Sequence, residues 1–484
     1  MTMPRSTSGF LTTHTGSLPR PADLIRMMYA KEEGVPVDAA SLGARIRAAV
    51  AETVQKQVKA GVAIVNDGEM SKPSYATYVK DRLNGFGGAS HPLTYRDLVD
   101  FPEMAKRVFG DPGRSRRRTP ACDGPISVRD PRAAVADTEN LRAACDAAKA
   151  EHGFISAASP GVISLFFHND HYSSHEAYLL AIADAMRPEY EAVVQAGFTL
   201  QLDCPDLGMG RHIQFADLIL DEFRQMARLH IAAMNRALAN VPPERARLHV
   251  CWGNYEGPHH YDVALADIID VVFEARPAGV SFEAANPRHA HEWRVFERVK
   301  LPAGKVLIPG VLDSTTNFIE HPDLVAERIG RYARLVGREN VIAGTDCGFG
   351  TWVGQAASIR TSRGRSWPAW PRARGERPGS SGSPARPASR ASGVDLFQDR
   401  DLSVDGGQHL EQVGRVPVAL VARERLERGA EMAGHAGENP DLVGALFGVL
   451  HPALGKPETR SCQPRSCPLV HIDPPESSSV GSAS

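Results

Sequence analysis

His249 and Cys251 stand two residues apart in the run LHVCW. On a strand, that spacing points both side chains to one face. Glu283 closes the later run VSFE, and Cys347 closes VIAGTDC. Together they offer one imidazole, two thiolates and a carboxylate, a soft tetrahedral donor set suited to Zn2+. His-x-Cys alone equally describes a buried polar pair. Glu283 and Cys347, at the ends of matching apolar runs, turn the reading towards metal. Zinc among thiolates lowers the pKa of an incoming substrate thiol and leaves it nucleophilic at neutral pH. The chemistry expected is attack of that thiol on an alkyl carbon, with Glu283 as the ligand that makes room.

Other polar residues also close short apolar runs: His14-Thr15-Gly16-Ser17, Asp67-Gly68-Glu69, Asp203-Cys204, Asp313 and Asp346. Arg211-His212, after Gly208-Met209-Gly210, is placed to meet a substrate acid group. His168, His171 and His175 in FFHNDHYSSH, and His259 and His260, read as solvated loop residues. Cys122 and Cys145 read as packed or merely exposed thiols.

Eight β-rich runs position these groups, at 10–13, 63–66, 154–158, 199–203, 247–251, 279–283, 306–310 and 341–344. Most are short and aliphatic or β-branched, as in parallel strands buried on both faces. Amphipathic stretches lie between them, at 44–60, 133–151, 174–196, 213–239, 263–275 and 322–336. Repeated strand-helix alternation predicts an α/β fold of the (β/α)8 TIM-barrel type, whose chemistry sits at the carboxyl ends of the strands. A doubly wound open sheet is the alternative. No GxGxxG or GxxxxGK[ST] follows the first strand, so a nucleotide-phosphate cradle has no support.

Composition narrows the class. The 484 residues hold 55 Lys+Arg against 57 Asp+Glu, a balance that argues against nucleic acid or an anionic membrane as the main partner. No run of eighteen apolar residues exists, and the start MTMPRSTSGF lacks a secretory h-region. Seven irregularly spaced cysteines do not make a disulfide framework. The expectation is a cytoplasmic protein whose thiols stay reduced.

The segments HTGSLPRP, VNDGEMSKPSY, LQLDCPDLGMGRH, LHVCWGNYEG, VSFEAANPRH, LIPGVLDSTTNFIEHP and VIAGTDCGFGT resemble the catalytic barrel of cobalamin-independent methionine synthase. They are similar above all to its single-barrel relatives, which include the epoxyalkane:coenzyme M transferases. The resemblance covers about residues 8–357 and implies that His249, Cys251, Glu283 and Cys347 are the zinc ligands. It also implies that Gly16, Ser17, Glu69 and Asp203 hold an amino-acid thiol such as homocysteine. Glu69 or Asp203 suits an α-ammonium group, and N–H groups near Ser17 suit an α-carboxylate. Two departures stand out. Thr315 occupies the place of a histidine in a Tyr-Asp-Ile-His run of the methionine synthases, and the gap from Cys251 to Glu283 is longer. The thiol-activating half is therefore intact, whereas the alkyl source is open among a folate, a corrinoid and an epoxide.

Beyond residue 357 the character changes. Ser358 to Val394 holds eight Arg, no Lys and one acid, Glu376, among many Pro, Ser and Gly, a composition without a core. Residues 358–484 read as a low-complexity tail, and Cys462 and Cys467 within it receive no role. Written in GC-rich codons with one base restored in front, Ser358 to Arg374 becomes VDPDVAGKVVAGMAEGA, which has a helix-start signal and helical apolar spacing. The tail is thus expected to be a frameshift product that removes the last barrel helix.

The expectation for the whole is a zinc-dependent thiol S-methyl- or S-alkyltransferase acting on a small thiol and an alkyl donor. A metal-free barrel of the uroporphyrinogen decarboxylase type and an inactive relative are its rivals.

Overall fold

The computed structural model describes residues 3–316 and 318–354. Its centre is a six-stranded parallel sheet in chain order: Ile64–Asn66, His152–Ala158, Thr199–Asp203, Ala246–Val250, Gly279–Phe282 and Val306–Pro309. Two further segments close it into a barrel. Thr12 bridges Ala343, and Val341 and Gly344 bridge Leu307 and Gly310, all in parallel sense. The Thr12 carbonyl accepts from the Ile64 N–H at 3.0 Å. The eight segments expected from sequence are the eight staves, and none is displaced. The strand ends are shorter than expected: Cys251 and Glu283 lie one residue beyond the last paired positions, Val250 and Phe282.

Burial explains the aliphatic composition. Every residue of the strands at Ala246–Val250, Gly279–Phe282 and Val306–Pro309 is buried, as a sheet covered on both faces requires. Arg247 fills part of the barrel interior. It donates to Gln201 Oε1 at 2.8 Å, Thr13 Oγ1 at 3.0 Å and the His14 carbonyl at 2.9 Å, so it ties three staves together.

Outside the barrel, Ala39–Lys59 packs on Arg132–Ala148, which packs on His175–Gln195, then Leu220–Ala237, then Leu265–Phe273. Local signals start these helices. Asp38 accepts from Ser41 N and Ser174 from Ala177 N, each satisfying a free first-turn donor. The helix Pro322–Val336 has the bounds read from sequence. Between the last two sheet strands the outer layer is a 3-10 segment, Glu292–Glu297, in place of a helix. An antiparallel pair, Leu83–Ser90 with Pro120–Val128, was not anticipated. Among the described residues no helix is long and apolar enough to cross a membrane. The place after the eighth strand, where the last barrel helix is expected to be missing, and the tail lie outside the described residues.

Candidate metal and substrate site

Parallel register assembles the site. Asp203 pairs with His249, and His249 with Ser281, across three neighbouring strand ends. The ligand atoms of His249, Cys251 and Cys347 all lie within 4.8 Å of one another, and the three residues are buried. The two Sγ atoms are 3.6 Å apart. Sulfurs bound about 2.3 Å from one tetrahedral ion stand about 3.7 Å from each other, so the thiol pair already has the spacing of two zinc ligands. His249 Nδ1 meets Ser281 Oγ at 3.2 Å, whereas its Nε2 is buried with no hydrogen-bond partner. A buried polar nitrogen without a partner is costly, and a metal ion would satisfy it. Burial, with the Arg247 cation adding to it, lowers the His249 pKa to about 3 and keeps the imidazole in the neutral form a metal needs. The donor set fits zinc.

Glu283, the fourth residue of the expected set, stands apart from the group of three. Its Oε1 accepts from Trp252 N at 2.9 Å, and its Oε2 accepts from Asn286 Nδ2 at 2.8 Å and Arg288 Nη2 at 2.5 Å. It is near enough for its charge, after the Cys347 thiol and burial, to help raise the Cys251 pKa. Asp346 staples the Glu283 loop to the eighth strand by accepting from the N–H groups of Ala284, Ala285 and Asn286 at 2.8, 2.8 and 2.7 Å. Arg288 is itself anchored by Asp262 at 3.3 Å, beside His289.

The structure also brings Gly16, Glu69 and Asp203 to the barrel mouth, and Ser17, Glu69 and Asp203 line the same pocket as Cys251 and Cys347. Glu69 adopts φ +58 after Gly68 at +70, a left-handed turn held by Asp67 Oδ1 on the Glu69 N–H at 2.9 Å. Gly16 is needed where it stands: at φ +132, a Cβ there would meet Ser156 Oγ at 2.4 Å and Glu69 Oε1 at 2.8 Å. Burial raises Glu69 to about 7, against the opposing pull of Lys72 and Arg20. Burial first, then the Glu69 charge, raises Asp203 well above the usual carboxylate range. Two desolvated carboxyl groups at one pocket wall suit a cation that brings its own positive charge.

Arg211 is not brought to this pocket. Its guanidinium donates to the Phe215 and Ala216 carbonyls at 2.9 and 3.3 Å, closing its own loop, and it lines a separate depression with Tyr261 and Asp262. The short helix Gly210–Ile213 carries Arg211, whose side chain reaches forward along the chain to the carbonyls that follow that helix. The histidines divide. His168 and His171 are exposed, as expected. His259 is buried, stacks on Tyr255 at 4.0 Å and meets Asp262 at 3.3 Å, so it is packed and not solvated, whereas its neighbour His260 is exposed, as expected. His175 bonds His230 at 2.8 Å, which bonds Asp206 at 2.9 Å. Further lining of this pocket, by Tyr75, Tyr95, Arg114, Arg117, Tyr255 and Trp352, was not foreseen. Only the clustering of Arg114 to Arg118 between apolar stretches marks it in the sequence.

No family model matches the chain. A methionine synthase of Thermococcus kodakarensis is 24% identical over 340 residues, which are 70% of this chain and 86% of that protein. The 2-hydroxypropyl-CoM lyase of Xanthobacter autotrophicus is 24% identical over 377 residues, 70% of this chain and 88% of that protein. The structure of a B12-independent methionine synthase from Shewanella sp. W3-18-1, in complex with selenomethionine, superposes with TM-score 0.57 at 19% identity, covering 76% of this chain and 97% of that one, and so shares its fold. Over most of its described length the chain is thus similar in sequence to methionine synthases and to 2-hydroxypropyl-CoM lyase, and in fold to a B12-independent methionine synthase.

Proposed function

We propose that the chain is an enzyme, a zinc-dependent thiol S-methyl- or S-alkyltransferase. The observation that carries this reading is the buried group of His249, Cys251 and Cys347, with its unpartnered imidazole nitrogen and closely spaced thiols. Those three residues would hold the metal, with Glu283 as the adjacent carboxylate. When bound, zinc supplies a lowered pKa for a substrate thiol and keeps the sulfur nucleophilic.

The chain's own residues do the rest. Ser281 holds the Nδ1 side of the His249 ring and leaves the buried Nε2 to take the metal. Glu283 holds its carboxylate in place through Trp252, Asn286 and Arg288, so its charge stays beside Cys251. Glu69 and Asp203 receive the ammonium group of an amino-acid thiol such as homocysteine, and the turn at Gly16-Ser17 takes its carboxylate. The buried pocket excludes water from the attacking sulfur. Free, buried Cys251 and Cys347 are consistent with a reducing, cytoplasmic setting. Thr315, where the methionine synthases carry a histidine, turns its hydroxyl to Asp313 Oδ1 at 2.8 Å, and no imidazole stands at that position.

Zinc-edge X-ray absorption on the metal-loaded full chain tests this reading. Adding homocysteine should increase the number of sulfur ligands by one. An unchanged ligand set would contradict thiol activation.

A further inference from the structure

The pocket that Glu69 and Asp203 line is also lined by two arginines, Arg114 and Arg117. Neither has a carboxylate within 4.0 Å among the described residues, although the neighbouring Arg116 pairs with Glu33. Arg114 Nη1 is buried without a hydrogen-bond partner. What surrounds these cations is aromatic. Arg114 lies 4.3 Å from the Trp352 ring centre, and Arg117 lies 4.7 Å from that of Phe166. Burial lowers the Arg117 pKa; Tyr95, which accepts a hydrogen bond from it, opposes that, and the neighbouring charge of Arg114 adds to it.

The segment is built to stay there. Asp111 Oδ1 accepts from Gly113 N at 2.9 Å, Arg114 N at 3.2 Å and Trp352 Nε1 at 2.7 Å. A Cβ on Gly113 would meet the Val353 carbonyl at 2.1 Å, so the turn sits directly on the chain after the eighth strand. Two partly buried, fixed cations lining a pocket form an anion receptor; guanidinium groups bind carboxylates and sulfonates through paired N–H donors.

The geometry points to an anion-binding subsite at Arg114 and Arg117 that takes a carboxylate or sulfonate of one of the reacting molecules. This deepens the transferase reading and rests on it only for which molecules meet in the pocket. The anionic group belongs either to the thiol or to the alkyl source, and one experiment separates them.

The full chain, loaded with cobalt(II), is titrated with 2-mercaptoethanesulfonate and with neutral 2-mercaptoethanol, reading the sulfur-to-cobalt absorption. Propane-1-sulfonate binding is measured by calorimetry with 2-mercaptoethanol present. The same titrations are made on Arg114→Gln/Arg117→Gln and on Arg114→Lys/Arg117→Lys, with 2-mercaptoethanol affinity and circular dichroism reporting the fold. If the thiol carries the anion, the sulfonate thiol binds about tenfold or more tightly than the neutral one. That preference disappears in the Gln pair and partly survives in the Lys pair. If the alkyl source carries it, the two thiols bind alike while propane-1-sulfonate binds only with the arginines present. Anion binding that is absent, or that survives unchanged in a folded Gln pair, overturns the subsite. Arginine-dependent sulfonate binding with no thiol signal would instead sink the transferase reading and leave the subsite standing.

Discussion

Glu69 combines a left-handed backbone, full burial and a carboxyl raised to about 7. Below that value it holds a proton and offers no charge; above it, the carboxylate attracts an ammonium. Affinity for an amino acid should therefore rise with pH through about 7 and then level. The thiol-free ligand L-methionine, titrated across about pH 5.5 to 8.5, isolates this group from thiol ionisation. Glu69→Gln should bind weakly with a flat profile, and a flat profile in the native chain would contradict the assignment. At this scale the sequence was informative where chemistry ties residue type to strand position: His249, Cys251 and Cys347 come together. It was silent where the partner is remote. Arg288, five residues past Glu283, occupies both carboxylate and loop, and Ser281 meets His249 only because two strands share one register. No local pattern announces either.

Asp346 shows how elements fix the site. It is buried, and its carboxylate accepts three backbone N–H groups and the Asn286 amide, joining the loop after the sixth stave to the end of the eighth. Asp346→Ala leaves those donors unpaired at about 1–3 kcal/mol each, not strictly additive. We expect a loss of several kcal/mol in thermal or denaturant unfolding, together with weaker metal retention, since Cys347 is the next residue. Unfolding within about 0.5 kcal/mol of native would show that the staple is incidental. The staves were legible because buried parallel strands are short aliphatic runs, and helix 322–336 because His321-Pro322 starts it and Gly337 ends it. The pair Leu83–Ser90 and Pro120–Val128 was not. Its first strand, LNGFGGAS, has three glycines and a mostly exposed face, so it carries no alternation to read. Missing that pair also hid the pocket wall, since the excursion between its two strands carries Arg114 and Arg117.

At the scale of the molecule, a ring of eight staves needs its outer cover. The reading of residues 358–484 as a frameshift product lies outside the described residues and stands as a proposal. It has a direct consequence. A barrel helix that covers about 400 Å² of apolar surface contributes on the order of 10 kcal/mol at about 25 cal/mol/Å², comparable to the stability of a whole domain. Replacing Ser358 to Arg374 with VDPDVAGKVVAGMAEGA and following the restored frame should raise the soluble yield several-fold. Equal yields, or resequencing that returns an intact frame through the tail, would refute the proposal.

The central claim is that the carboxyl ends of the staves build a zinc site for activating a thiol. Elemental analysis of the purified full chain tests it most directly. About one zinc per chain, lost in Cys251→Ser and in Cys347→Ser while circular dichroism stays native, is the predicted result. A folded native chain that takes up no zinc, or cysteine variants that keep it, would contradict the account.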